Sequence, residues 1–448
     1  MSADETVRGR VATATAVDSQ GKLLRLLGVG FGIAVAIGGT IGVGILRAPG
    51  GVLAHAGSPA VALTLWIAGG LYSLLGAFAL AELSTMTPSA GGYFAYARRA
   101  FGPAVAFAVG WGDFLVYCTA LGYLSIAAAE LSVSLVPSLG SATKALAIAT
   151  LLGVTALQLR GLRASSRAQE VISASKAIGF VGLAVICLWY GLANQSTHDQ
   201  PMAGESSLFG LVLAFQLLLG TYGGWYSAIY FAEEDTDPGR HLPRSLIGGV
   251  LLVTIIYVLV NVSLMAVLPA GRLAASPFPA GDAATLVFGA RGSDVITIVS
   301  IVSLVGIIHP VMMMGTRVLF AIVRDRRASD RLIAVTSRGT PALALMVVAG
   351  LAAGLVLTGS FDRLFRMVAV FVTGNYVAAM AALIALRRQE PEAPRPFRAW
   401  GYPWSVGVVL LVSLAFLAAV IVSDPVNSVA AFVLLVLSWP LSLLLRPR

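Results

Sequence analysis

The chain has 448 residues, of which 58% are hydrophobic and only 11% charged, with a mean hydropathy of +0.87; a soluble domain carries roughly a quarter charged residues, so a water-soluble globular protein is excluded. High hydrophobicity, glycines without a three-residue period and only two cysteines also exclude disorder, a collagen helix and a disulfide scaffold. The net charge of +9 does not read as nucleic-acid binding, because the Lys and Arg residues fall in short gaps between apolar segments, where they set membrane orientation.

The first 22 residues are polar, with mixed charges and no apolar core of a cleavable signal, so the first span reads as retained and residues 1–26 as a cytoplasmic tail. Apolar stretches long enough to cross a bilayer, about 20 residues each, then recur twelve times, at 27–47, 59–84, 102–136, 142–160, 170–193, 208–232, 246–268, 293–323, 341–358, 364–386, 404–422 and 427–445. Of the 30 basic residues, 24 fall on the side of the termini and 6 (Arg47, Lys144, Arg272, Arg291, Arg363 and Arg366) on the other. By the positive-inside rule both termini are cytoplasmic and the chain sits in the plasma (inner) membrane, surrounded by lipid. Omitting one span would invert every later loop and destroy that asymmetry.

Two spans break their own helix propensity. The first carries Gly38-Gly39-Thr40-Ile41-Gly42-Val43-Gly44 and the sixth Gly220-Thr221-Tyr222-Gly223-Gly224-Trp225, although each glycine costs about 1 kcal/mol against alanine in a helix. They lie at corresponding positions if spans 1–5 and 6–10 are two halves of a repeat, the sequence pointer to a transporter's substrate site. Unwinding frees N–H groups suited to a carboxylate and carbonyls suited to an ammonium, so a zwitterion satisfies both. The alternative is flexible or tightly packed helices.

Ionisable groups within spans are costly and point to function. Asp113 in the third span either balances Lys176, takes a proton, pairs with a cationic substrate, or serves as a structural partner of a nearby amide or hydroxyl. Lys176, early in the fifth span, is either functional or an anchor reaching to the cytoplasmic surface. Glu130 reads as interfacial, and His309 as a pathway residue or a neutral packing residue. The stretch 233–244, EEDTDPGRHLPR, sets Glu233 and Glu234 before Arg240 and Arg244, opposite charges able to pair in one state and part in another, or else a solvated loop. Arg98 and Arg99 read as gate residues or positive-inside anchors, and Tyr190, Trp400, Tyr402 and Trp404 as interfacial aromatics.

No cofactor or metal is expected. The four histidines, His55, His198, His241 and His309, lack HExxH spacing, Cys118 and Cys187 form no CxxC, and no GxxxxGK[ST] loop occurs. The glycines at 28, 30 and 32 open a membrane span rather than a strand-to-helix turn, so they are not a dinucleotide fingerprint.

The segments IGGTIGVGILRAP (37–49), ELSTMTPSAGGYFAYARRAFG (82–102), YGGWYSAIYFAEEDTDPGRHLPRS (222–245) and RPFRAWGYP (395–403) together resemble the amino acid–polyamine–organocation permeases, in order and across residues 27–445. The resemblance implies an all-α polytopic membrane protein of twelve transmembrane helices in a 5+5 inverted-repeat, LeuT-like fold with discontinuous helices 1 and 6. It divides the chain into repeats at 27–193 and 208–389 with peripheral helices at 404–445. It places the substrate carboxylate at the amides of Gly42, Val43 and Gly44, the amine at the carbonyls of Thr40, Gly220 and Gly223, and the site around Thr40, Ile41, Tyr222, Gly224 and Trp225. It likens Lys176 to a lysine whose ammonium replaces sodium in sodium-independent relatives. Two positions depart from the pattern: Val43 stands where many relatives have Ser, and Gly220 where many have an aromatic gate, leaving a roomier site or occlusion by Tyr222 or Trp225. The function implied is secondary-active, sodium-independent amino acid transport, proton-coupled or by exchange, with Lys176 and Asp113 in coupling and Glu233, Glu234, Arg240 and Arg244 at the cytoplasmic gate. A polyamine or organocation permease is the alternative. An ion channel would want a ring of selectivity groups, and a membrane enzyme a convergent catalytic site; neither is seen.

Overall fold

A computed structural model describes residues 21–194, 207–359 and 361–444. The tail residues 1–20, Arg446 and Arg448, and His198 lie outside them. The described chain is helical, with a single isolated bridge between Leu27 and Asp235 as its one strand-like pairing among the described residues.

The helices, in order, are α1 (Val29–Thr40), α2 (Gly44–Ala56), α3 (Pro59–Met86), α4 (Tyr93–Phe101), α5 (Pro103–Leu135), α6 (Thr143–Leu159), α7 (Leu162–Asn194), α8 (Leu208–Tyr222), α9 (Pro238–Val267), α10 (Ala270–Ala275), α11 (Pro279–Phe288), α12 (Gly292–Arg326), α13 (Ala342–Thr358), α14 (Phe361–Gln389), α15 (Trp404–Ser423) and α16 (Pro425–Leu444). A 3₁₀ segment, Trp225–Phe231, continues α8. Several starts follow local rules: α3, α5, α9 and α11 have proline in the first turn, where the missing N–H costs nothing. Ser58 and Ser207 accept the amides of Val61 and Gly210, satisfying N-terminal donors of α3 and α8.

Among the described residues nine helical stretches are long and apolar enough to cross a membrane, and α1 with α2, bent by 55°, makes a tenth. The apolar helix α13 has 17 residues, roughly 25 Å at 1.5 Å per residue, and the apolar part of α16 is also short; these two lie where the ninth and twelfth spans were expected. Side chains that a soluble protein would hide, including Ile178, Leu192, Leu208, Leu411 and Phe432, stand exposed on α7, α8, α15 and α16, a surface suited to lipid.

Two apolar cores hold the bundle, one centred on α3, α5, α12 and α14, the other on α2, α3, α8 and α9. Between them lie the two interruptions. α1 ends at Thr40, Ile41 turns extended (φ −75°, ψ 107°), and helix resumes at Gly44. α8 ends at Tyr222, Gly223 is extended (ψ 138°), and Gly224 is left-handed at φ 112°.

Candidate functional site

Three of the carbonyls released where α1 ends are bound by side chains. Lys176 Nζ donates to Gly38 O (3.0 Å), Tyr257 Oη to Thr40 O (2.9 Å) and Ser303 Oγ to Ile41 O (3.1 Å). Tyr257 Oη also lies 3.0 Å from Thr221 O, so one phenol on α9 spans both interruptions. They touch directly as well: a Cβ on Gly224 would stand 2.3 Å from Gly39 O, a spacing that only glycine permits.

The amides are left open. The N–H groups of Gly42, Val43 and Gly44 make no hydrogen bond among the described residues, and Val43 and Gly44 are half-buried and exposed. They crown the N-terminus of α2, where free donors and the helix dipole favour an anion. Of the carbonyls expected to meet an amine, Thr40 O is held by Tyr257, Gly220 O accepts a long bond from the Gly223 amide (3.4 Å), and Gly223 O has no partner among the described residues.

Beside the break of α8 lies a cavity of about 200 Å³. Gly220, Tyr222, Gly223, Gly224 and Trp225 line it together with Gly39, while Thr40, Ile41, Gly42, Val43 and Gly44 do not. Ile307, itself in the lining, stands against Gly42: a Cβ there would meet its Cδ1 at 2.5 Å. Tyr222 is a strut, its hydroxyl donating to Trp66 O and its ring packed on Tyr257. Trp225 is stacked on Tyr376 with planes 5° apart, over Gly76. No Asp, Glu, Lys, Arg or His is among the described lining residues. α15, expected at the periphery, reaches the cavity with Ser413 and Phe416.

Lys176 does not reach for the surface as an anchor would: it is 4% exposed, and its ammonium also donates to Ser303 O (3.2 Å). It belongs to a polar seam between α7, α1 and α12. Ser173 Oγ and Gln169 Nε2 donate to Ala34 O, and Gln169 Oε1 lies 2.9 Å from His309 Nδ1. His309 is buried outside the cavity lining, as a packing residue would be. Asp113 is held by Tyr230 Oη (2.8 Å) and Asn375 Nδ2 (2.8 Å), a hydroxyl and an amide, and does not line the cavity; its bonds tie α5 to the 3₁₀ segment and to α14.

At the far end of that segment a set of ion pairs ties the elements together. Glu234, fully buried, is gripped by both arms of Arg317 (2.9 and 3.0 Å), whose guanidinium also lies over Phe231. Glu233 pairs with Arg324 and accepts the Ala90 amide. Glu82 binds Arg387, Arg395 and the Ala399 amide, Arg99 binds Glu390, and Arg98 binds Asp325. The chain before α1 crosses this end, with Leu26 and Leu27 donating to Glu234 O. Burial raises Glu234 above the ordinary carboxylate range, Arg317 opposing; burial acts on Glu233 too, but Arg324 outweighs it and the group falls below that range. Glu233 and Glu234 are thus paired with α12, not with the basic end of their own loop: Arg240 lies 3.9 Å from Asp237 and is largely exposed, and Arg244 is exposed. Sequence reasoning counted Arg317 and Arg324 only for orientation. The clue was their spacing, seven residues apart, which sets both on one face of α12.

Broken membrane-crossing helices, open amides at one break and a water-sized to solute-sized hollow at the other define an integral membrane protein of the transporter class. The chain matches the amino acid permease family over residues 32–443 and belongs to it. It is 27% identical to the serine/threonine exchanger SteT of Bacillus subtilis over 90% of this chain and 93% of that one. It is 28% identical to the mouse b(0,+)-type amino acid transporter 1 (93% and 86% covered) and 27% to the mouse Asc-type amino acid transporter 1 (91% and 78%).

Proposed function

We propose that this permease is a secondary-active, sodium-independent carrier of neutral amino acids, working by alternating access and coupled to protons or to counter-exchange. The observation that carries the reading is the pairing of free amides at Gly42, Val43 and Gly44 with a second break at Gly223 and Gly224: an anion site and a carbonyl site are presented by helices that touch. The amides take the α-carboxylate; Gly223 O, and the unused lone pairs of Gly220 O and Thr40 O, take the α-ammonium. Recognition through backbone needs no charged side chain, in keeping with a lining that has none and against the polyamine alternative, whose second cation would find no carboxylate there.

Lys176 fills the place of a coupling ion, its ammonium on the carbonyl end of α1. Spans 27–193 and 208–389 form the two repeats, and α1, the 3₁₀ segment and their neighbours move against α5 and α12. Taking the end that holds the ion pairs of Glu233 and Glu234 as the cytoplasmic one, the state with those pairs closed and Gly44 exposed is outward-facing. The membrane is the plasma (inner) membrane. The exchange reading is favoured by the similarity to a relative that bears the name of an exchanger.

Purified protein in proteoliposomes tests this: uptake of labelled neutral amino acid is expected to saturate, to be stimulated by unlabelled amino acid inside, and to be indifferent to sodium. Unsaturable flux without counterflow would contradict it.

A further inference from the structure

α15 presents one stripe inward, Val409, Ser413 and Phe416, at helical spacing, while Leu411 and Leu414 between them are exposed. A serine in an otherwise apolar buried stripe needs a partner, and it has one: Ser413 Oγ lies 2.9 Å from Tyr72 Oη. Tyr72, Ser413 and Phe416 all line the cavity, and so does Gly220, where an added Cβ would meet nothing within 4 Å. The cavity is therefore open beside Gly220 and has α15 as part of its wall. The hydroxyl pair carries two hydrogens and uses one between its members, so one O–H remains to turn toward a solute.

We propose that Tyr72, Ser413 and Phe416 form a subsite for the substrate's side chain, opened by Gly220 and selective for large uncharged groups, so that α15 sets specificity. This rests on the carrier reading above. A bulky side chain displaces water from an apolar wall and finds one hydroxyl at its end, whereas a small one leaves the subsite unfilled.

The test measures binding of serine, leucine, phenylalanine and tyrosine to purified wild type and to Gly220→Phe, Phe416→Ala and Ser413→Leu, by ligand-induced thermal shift and calorimetry. Gly220→Phe, which sets a ring in the open space beside residue 220, and Phe416→Ala, which removes part of the wall, are each expected to lower affinity for phenylalanine relative to serine by about tenfold or more. Ser413→Leu is expected to depress tyrosine more than phenylalanine. Variants that bind serine yet keep the wild-type preference to within about twofold would overturn the subsite and leave the carrier reading intact. Wild type that binds none of the four would overturn both.

Discussion

At φ 112°, Gly224 occupies backbone space that an L-residue enters at a cost of roughly 1–2 kcal/mol, and its neighbour Gly39 leaves no room for a methyl group. Gly224→Ala is therefore expected to push the two interruptions apart and abolish amino acid-induced thermal stabilisation, while the protein still inserts and elutes as a single species; unchanged stabilisation would contradict the contact's role. Lys176→Ala leaves Gly38 O, at the end of α1, without its donor, at about 1–3 kcal/mol for an unsatisfied buried group, and is expected to change the pH profile of transport. A variant profile superimposable on wild type would remove Lys176 from coupling. Both residues were visible in the sequence, because clustered glycine and intramembrane lysine are costly wherever they occur. Their partners were not: Ser303 and Tyr257 are ordinary residues of apolar spans, and only the packing of α12 and α9 against α1 gives them a task. Asp113 was equally visible, yet its partners Tyr230 and Asn375 lie 117 and 262 residues away.

Among the elements, α12 supplies one partner to each of three ion pairs at this end, through Arg317, Arg324 and Asp325. Removing one partner of the buried Glu234–Arg317 pair strands the other charge, typically a loss of about 3–5 kcal/mol, so Glu234→Ala is expected to destabilise the protein far more than Arg240→Ala, whose side chain is exposed. Similar melting temperatures for the two would contradict the pairing. The two glutamates respond oppositely to acid. Glu233 is held below the ordinary glutamate value of 4.5, so its contribution is complete above that value and is lost as pH falls through the lower native one. Glu234 is raised by burial, so acid relieves rather than costs it. Melting temperature in detergent is thus expected to drop on acidification below the ordinary carboxylate range, and the drop to shrink in Glu233→Gln; an unaltered drop would assign it elsewhere. Element positions were legible from apolar runs alone, with α2 extending to Ala56 beyond the expected end at 47 and α7 beginning at Leu162 before the expected 170. The α7 extension carries Arg163, Ser165, Ser166, Arg167 and Gln169, which hydropathy discounts and helical hydrogen bonding does not, while the α2 extension runs through Pro49, Gly50 and Gly51, which read as helix breakers.

For the whole molecule, one end is sealed by ion pairs and crossed by the chain at Leu26 and Leu27, while the start of α2 is exposed. If that state faces outward, Val43→Cys is expected to react with a membrane-impermeant thiol reagent added outside cells and to be protected by substrate; the native Cys118 and Cys187 are buried and give little background. Labelling only from the inside would reverse the orientation. The paired glycine clusters marked both helix interruptions in the sequence. The reach of α15 into the cavity was hidden, since Ser413 and Phe416 gain meaning only from Tyr72 and from the space left by Gly220. The central claim is that peptide groups of two opened helices hold both charged ends of one amino acid. Calorimetry with purified protein, comparing a neutral amino acid with its methyl ester and its N-acetyl derivative, tests it most directly. Binding by the free amino acid and by neither derivative is the expected result, and comparable affinity for all three would contradict the account.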